Sequence, residues 1–325
     1  ATLGEALAEI GGRPSLVVDR RLARPLPGFR ARRLEIAGGE RAKRLRTLEQ
    51  VISWLAAEGA ERSDPLVAVG GGTIGDLTGL AAALYMRGVP YVAVPTTWLA
   101  QADAALGGKA AVDLPGAKNL VGAFWPAWSV LADVATLRSL PAARLRDGMA
   151  EAVKAAIIGD PALWRLIGER GRGALAGDEE ARYAITERAA RVKLAVVRRD
   201  PFERGERRRL NLGHTIGHGL EAASGYRLAH GSAVALGLRA AARLAARRGG
   251  DPQLGAELDD LLAGLGFRAR HRFDAARVRH AMLADKKRAG GRLRWQLPFR
   301  LGEVVEVDDV TDAELGSALD AIARA

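Results

Sequence analysis

Short apolar runs alternate with longer amphipathic stretches through about the first 140 residues. "SLVVD" (15–19), "PLVAVG" (65–70) and "PYVAVPTT" (90–97) are rich in β-branched residues and end at turn-forming or polar residues, so they predict buried strands. Between them, 41–60 places Leu45, Leu48, Val51, Ile52 and Leu55 at helical intervals, and "GDLTGLAAALYMRG" (75–88) predicts a second helix. Strand–helix–strand alternation calls for a parallel sheet covered by helices. From about residue 142 the texture changes. Ala-, Leu- and Arg-rich segments with helical spacing dominate at 144–158, 179–199, 210–224 and 230–248. No internal repeat or low-complexity linker intervenes. The pattern predicts an α/β domain over 1–141 and a mostly α-helical domain over 142–325, with the active site in the cleft between them.

Composition narrows the chemistry. A chain of 325 residues can bury two cores. It has no cysteine, which excludes disulfides, thiolate nucleophiles and cysteine-held metals. Any metal must therefore use histidine and carboxylate. No apolar run approaches a membrane span, and the opening "ATLGEALAEI" lacks the regions of a signal peptide. The expected compartment is the cytoplasm, with no membrane partner. Ala1 stands where an initiator methionine is usual, which suggests a trimmed chain. The formal charge of +11 is spread along the sequence without a basic tail or interleaved aromatics. That distribution favours a solvated basic surface over a nucleic-acid interface, which would show steeply salt-dependent retention on DNA. Forty-two arginines stand against seven lysines, and only Asn119 and Asn211 are asparagine. Where a bias has turned most basic positions to arginine, the surviving lysines mark sites that need a compact point charge, such as phosphate, nucleotide or catalytic contacts. Scarce Cys, Met and Asn suit a thermophile, and codon bias would look the same.

Two stretches suggest where anions bind. "VAVGGGTIGDLTG" follows a strand and opens a helix, and Gly70, Gly72 and Gly75 satisfy G-x-G-x-x-G. Glycines there let backbone N–H groups approach a pyrophosphate in a Rossmann-like domain, although a tight structural turn reads the same way. The acid expected about 20 residues later is missing, because that region reads "YVAVPTT". An acid, Asp19, instead ends the earlier strand, and "GGERAK" supplies Glu40 and Lys43. The polar stretch 95–119 reads as a loop. It concentrates Thr96, Thr97, Asp103, Lys109, Lys118 and Asn119, including two of the seven lysines.

The second half supplies the metal chemistry. "GMAEAVKAAI" puts Glu151 and Lys154 on one face of an otherwise apolar helix, so both charges point into a core or a cleft. "LNLGHTIGHGL" sets His214 and His218 four apart, each after a glycine, and His230 follows in "LAHGSAV". Two histidines and one carboxylate form a common catalytic zinc set with an open position. His214 and His218 can chelate from one helix turn, yet "TIG" lacks the glutamate of the metalloprotease motif. Spacing alone leaves the pair as a chelate or as two rings with separate tasks. His271 and His280 lie in charged surroundings and predict surface positions. "ERRRLN" (206–211) reads as a solvated charge run from which one arginine can turn inward.

In order along the chain stand "GGGTIGDLTG", "YMRG", "VPTTWLAQADAALGGKAAVDLPGAKNLVGAFW", "GMAEAVKAAI", "LNLGHTIGHGLE", "AHGSAVALG" and "ADKK". This ordered set resembles the 3-dehydroquinate synthases of the sugar-phosphate cyclase family, almost end to end from "SLVVD" to "DKKRAGGRLRWQLP". The family's first short strand has no counterpart here. The resemblance implies a divalent metal, zinc or cobalt, on Glu151, His214 and His230. His218 then lies near the substrate phosphate as an acid/base group, and Glu203 matches a second such position. Asp103, Lys109, Asn119, Lys154, Lys193, Arg207, Asn211 and one lysine of "DKK", Lys286 before Lys287, would contact the substrate. Among these, Asp103, Lys109 and Lys154 join His218 and Glu203 as the catalytic set. Arg87 would reach a neighbouring subunit's site, which implies a homodimer. NAD would lie on Asp19, Glu40, Lys43, Gly70, Gly71, Gly72, Thr73, Asp76, Thr96, Thr97 and Lys118, with Thr136 and Ser139 on its far side. Arg21 replaces an asparagine often found two residues after the first acid, and "GAKN" replaces "LGKN".

The implied reaction is a lyase-type cyclisation in the shikimate pathway, on the route to chorismate and the aromatic amino acids. 3-Deoxy-D-arabino-heptulosonate 7-phosphate is oxidised at C5 by NAD, loses phosphate, is reduced again at C5, and closes by an intramolecular aldol step. The alternatives are a sibling cyclase for another sugar 7-phosphate and a metal-dependent polyol dehydrogenase. Lys193, Glu203, Arg207, Leu210 and Asn211 keep the dehydroquinate-synthase pattern, and "GGGTIGDLTG" lacks the dehydrogenases' "DxAK" ending.

Overall fold

A computed structural model of the chain describes residues 2–22, 31–115, 117–288 and 293–324; of residues 117 and 284–288 it describes the backbone alone. The chain divides into two compact units, Ala1–Leu140 and Pro141–Ala325.

The first unit contains α1 (Leu3–Ile10), β1 (Ser15–Asp19), β2 (Arg32–Ile36), α2 (Leu45–Ala57), β3 (Leu66–Gly70), α3 (Gly72–Leu84), β4 (Tyr91–Pro95), α4 (Trp98–Ala102), β5 (Lys109–Leu114), β6 (Ala117–Phe124) and β7 (Ser129–Val130). Five strands pair in parallel in the order β2-β1-β3-β4-β7. Every residue of β1 and β3 is buried, as inner strands covered on both faces require. Alternation assigns their side chains to two cores. Val17 and Ala68 pack with Leu48, Val51, Leu77 and Leu80 of α2 and α3. Leu16, Val18, Val67 and Val69 pack with Leu7 of α1. Arg32 of β2 is buried, and its guanidinium donates to Asp64 (2.7 Å) and to the carbonyls of Glu58, Gly59 and Arg13 (3.0 Å each). That clamp fixes the edge strand to the connection entering β3.

The strand order reverses at β1. The chain leaves β1 for β2 on one side and returns to β3 on the other. In open α/β sheets, ligands bind at such a switch point, outside the carboxyl ends of the strands. Here those ends carry Asp19 and the Gly70–Gly72 turn.

The stretch 95–119 is more ordered than its polar composition predicts. It forms α4, a 3₁₀ turn at Ala104–Leu106, and most of an antiparallel β5–β6 hairpin. Ala110 and Val112 of β5 point into the core, alternating with Lys109, Ala111 and Asp113. Val121 and Ala123 of β6 pack against the same core, and side chains this small leave only a faint apolar pattern.

The second unit contains α5 (Ala142–Gly159), α6 (Pro161–Ala176), α7 (Glu179–Arg199), α8 (His214–Ala223), α9 (His230–Arg247), α10 (Pro252–Gly264), α11 (Ala275–Arg288), an antiparallel hairpin of β8 (Trp295–Arg300) and β9 (Glu303–Val307), and α12 (Asp312–Ile322). Helices α5 and α9 are buried almost all round, which their small Ala and Gly side chains permit. A Cβ on Gly237 of α9 would lie 1.9 Å from the Gly213 carbonyl, so glycine alone allows α8 to start that close to α9. Gly213 itself adopts the left-handed conformation (φ 76°) that directs the chain into α8. No helix among the described residues is long and apolar enough to cross a membrane.

Candidate active site

The metal-competent cluster is built by three helices of the second unit. Glu151 comes from the middle of α5, His214 from the first residue of α8, and His230 from the first residue of α9. Asp147 of α5 accepts from the Gly231 amide (2.8 Å), which pins the start of α9 against α5. One ligand atom from each of the three residues lies within 4.8 Å of the others, and no other such group occurs among the described residues. Glu151 Oε1 lies 2.9 Å from His230 Nε2 and 3.3 Å from His214 Nε2. Lys154, buried one turn along α5, pairs with the second Glu151 oxygen. Burial pushes the Glu151 carboxyl up, but the Lys154 ammonium and the two imidazoles outweigh it and hold the group well below the usual carboxylate range.

The cluster fits a divalent cation. His214 Nδ1 lies 3.0 Å from the Leu212 carbonyl, which can only accept, so that nitrogen carries the hydrogen. His214 Nε2 then faces the ionised Glu151 carboxylate, and with His230 Nε2 these atoms converge where a divalent cation can sit. Without a metal the carboxylate is balanced by the His230 imidazolium. Burial lowers its pKa, but hydrogen bonds and charge from Glu151 and Glu221 raise it to about 10. His218 behaves differently. Its ring meets His214 edge-on, with centroids 5.2 Å apart, and it does not belong to the cluster. The residue is exposed at the surface, although the atoms crowded around its ring and the neighbouring imidazoles lower its pKa.

The other predicted residues of this unit surround polar turns. Arg207 is the arginine of "ERRRLN" that turns inward; its side chain is buried and donates to the Pro201 carbonyl. The Asp200 carboxylate accepts from the Arg207, Gly205 and Arg204 amides and shapes the turn before it. Asn211 Nδ2 donates to Glu203 (3.0 Å), and Glu203 holds a left-handed backbone (φ 58°) rare for its residue type. Lys193 of α7 is buried. The side chains of Lys286 and Lys287 lie outside the described residues. His280 is exposed, and the His271 backbone donates to Ile322 and accepts from Arg324.

The first unit gathers the remaining residues around its glycine turn. Gly70 ends β3, Gly71 caps α3 without a side-chain acceptor, and Gly72 and Thr73 open the helix. A Cβ on Gly71 would lie 2.9 Å from the Thr97 methyl, so the turn needs glycine. The helix N-terminus therefore keeps amide donors for an anion, as a pyrophosphate site requires. Gly70, Gly71, Gly72, Gly75 and Asp76 line a cavity whose far wall includes Lys109 and Trp125. Tyr91 donates to the Gly75 carbonyl (3.0 Å) and supports the turn from beneath. The Thr96 amide donates to Gly70 (2.9 Å), and Thr97 caps α4 by accepting from Ala100 (3.3 Å).

Several predicted residues already hold one another. Lys43 is buried and pairs with both Asp76 and Asn119, so Asn119 joins two residues predicted for the nucleotide. The Asn119 amide donates to Asp113 (2.8 Å) from a left-handed backbone (φ 55°). Lys118 pairs with Glu40 at 2.9 Å. Asp19 accepts a two-pronged contact from Arg21 at 3.1 and 2.7 Å; burial raises its carboxyl, but Arg21 outweighs this and holds it below the ordinary range. Thr136 and Ser139 lie on a 3₁₀ turn (Val134–Ser139). The wholly buried amide of Gln101 secures that turn, donating to Pro95, Asp133 and Thr136 at 2.9–3.1 Å. Asp103 ends α4, and Arg87 is exposed with φ 66°.

Two residues escaped sequence reasoning. Gln101 carries no signal beyond being polar in an apolar helix turn. Glu221 lies seven residues after His214, which places it on the same face of α8, two turns along. Its carboxylate is 3.5 Å from His230 Nδ1.

Comparison with known proteins agrees with this geometry. Family models described as "3-dehydroquinate synthase N-terminal" and "3-dehydroquinate synthase C-terminal" match residues 33–147 and 148–288. A 3-dehydroquinate synthase of Symbiobacterium thermophilum is 40% identical over 96% of this chain and 91% of its own length. One from Xanthomonas axonopodis pv. citri is 43% identical over 90% and 81%. Among solved structures, 2-epi-5-epi-valiolone synthase from Streptomyces hygroscopicus subsp. jinggangensis, with NAD+ and Zn2+ bound, superposes with a TM-score of 0.90 at 30% identity, over 99% of this chain and 93% of that one. A 2-deoxy-scyllo-inosose synthase complexed with carbaglucose-6-phosphate, NAD+ and Co2+ gives 0.89 at 26% identity, over 98% and 93%. By both family models and by relatives aligned over most of its length, the chain belongs to the 3-dehydroquinate synthase family.

Proposed function

We propose that the chain is a 3-dehydroquinate synthase, a carbon–oxygen lyase acting on a phosphate ester. It converts 3-deoxy-D-arabino-heptulosonate 7-phosphate into 3-dehydroquinate and inorganic phosphate. The observation that carries this reading is the Glu151–His214–His230 cluster, with the His218 ring beside it, in a chain matched by that family from residue 33 to residue 288. C5 is oxidised, phosphate leaves by β-elimination, C5 is reduced again, and the opened ring closes by an aldol step. When bound, NAD accepts and returns the hydride while zinc or cobalt polarises the neighbouring hydroxyls.

Glu151, His214 and His230 would hold the metal, and the residues around the Gly70–Gly72 turn would hold NAD. Lys154, Lys193, Arg207 and Asn211 supply donors to an anionic substrate, and three of them are buried cations, where charge-assisted bonds are strong. His218 serves as an acid/base group near the leaving phosphate, and Glu203 as the second. Asp103, Lys109, Asn119, Arg87 and Lys286 complete the substrate contacts in this reading.

The enzyme is proposed to be a cytoplasmic homodimer. Val121, Ala123, Trp125 and Ala127 pack inward, while Leu120, Phe124 and Trp128, at alternate positions, are 56%, 39% and 60% exposed. An apolar stripe of that kind suits a second copy.

Arg207 is the proposed partner of the substrate carboxylate. Phosphate release is therefore expected to be at least about 100-fold faster from the heptulosonate phosphate than from sedoheptulose 7-phosphate, which lacks the carboxylate. Equal release from both would reassign the chain to a sibling cyclase.

A further inference from the structure

The two histidines of the cluster are oriented by different groups. His214 Nδ1 meets the Leu212 carbonyl at 3.0 Å. His230 Nδ1 meets a carboxylate, Glu221 Oε2, at 3.5 Å, while its Nε2 faces Glu151 at 2.9 Å. The ring is thus strung between two acids, one inside the cluster and one outside it. Glu221 supplies no atom to the convergent group itself. It is largely buried, with its side chain 13% exposed, on the face of α8 that also carries His214. Helix α8 therefore delivers one metal ligand from its first turn and, two turns later, a carboxylate behind the ligand of another helix.

We propose that Glu221 is a positioning residue for the metal: it holds the Nδ1–H of His230 and so presents the Nε2 lone pair to the cation. This rests on the reading of Glu151, His214 and His230 as metal ligands. A carboxylate accepts from Nδ1–H more strongly than a carbonyl does. It fixes the tautomer, limits ring rotation and raises the donor strength of Nε2. Residues in this role alter metal affinity about 10- to 100-fold without touching the metal.

The test uses the full chain stripped of metal and titrated with cobalt(II) against a competing chelator, alongside the visible absorption of the bound cobalt. Glu221→Ala is expected to weaken cobalt binding about 10- to 100-fold and to shift the cobalt bands. Glu221→Gln keeps an acceptor oxygen without the charge, and its loss should be smaller but at least about threefold. His214→Ala, run in parallel, should lose stoichiometric binding. If the alanine variant fails to fold, the glutamine variant decides. Cobalt affinities within about twofold of the unsubstituted chain for the folded Glu221 variants would overturn the proposal alone. Failure of the unsubstituted chain to bind cobalt, or full binding by His214→Ala, would overturn the ligand reading and this proposal with it.

Discussion

His214→Ala is expected to purify without metal, whereas His218→Ala is expected to keep its metal and lose turnover. The two side chains lie one helix turn apart and their rings touch edge to face, so spacing cannot separate them. Their surroundings do. His214 has its outer nitrogen fixed by the Leu212 carbonyl and its inner nitrogen 3.3 Å from the Glu151 carboxylate. Removing it would delete one of the three proposed protein ligands, leaving too few donors to hold a metal at ordinary affinity. His218 lies outside the cluster and is exposed at the surface. Its loss removes a proton carrier, for which a fall of about 10²- to 10⁴-fold in kcat is expected. Elemental analysis and phosphate-release kinetics on both variants decide the matter. Equal metal loss in the two would show that both rings are ligands.

Glu151→Gln should abolish metal binding and also destabilise the metal-free protein by about 3–5 kcal/mol. Glu151 is buried on α5 against the Lys154 ammonium and two imidazoles, and its charge offsets that ammonium. Neutralising it takes the carboxylate away from the buried Lys154 ammonium while leaving the volume nearly unchanged. Pairing the change with Lys154→Met should restore most of the lost stability, because a flexible apolar side chain suits a helix buried on all sides. Metal binding should remain absent in the double variant. Urea unfolding of the metal-free proteins measures the effect. A single variant as stable as the unsubstituted chain would mean that Lys154 does not depend on Glu151.

Elements with strong periodicity were legible. The strands at β1, β3 and β4 and the helix over 179–199 occur where the pattern puts them, because buried parallel strands and long amphipathic helices leave unmistakable runs. The inward direction of Glu151 and Lys154 was legible too, since two charges on an apolar helix have nowhere else to point. The β5–β6 hairpin was not, because small alanines blur its alternation and Lys109, Asp113, Lys118 and Asn119 make the stretch read as a polar loop. Hairpin β8–β9 lies past a helical stretch whose texture hid the change of period. The pairing of Asn119 with Lys43, and of Asp19 with Arg21, depends on which of several equally polar neighbours the fold brings close. Glu221 shows the same limit. Its position seven residues after His214 fixes the helix face, but only the packing of α8 against α9 puts His230 within its reach.

The most direct measurement of the central claim follows phosphate, product and nucleotide in one reaction. Purified protein is given the heptulosonate 7-phosphate, NAD and cobalt, with a metal-stripped sample as control. Phosphate and 3-dehydroquinate are expected to appear in equal amounts, with no NADH accumulating and neither product forming without metal. Net NADH formation with no phosphate released would contradict it and identify a polyol dehydrogenase instead.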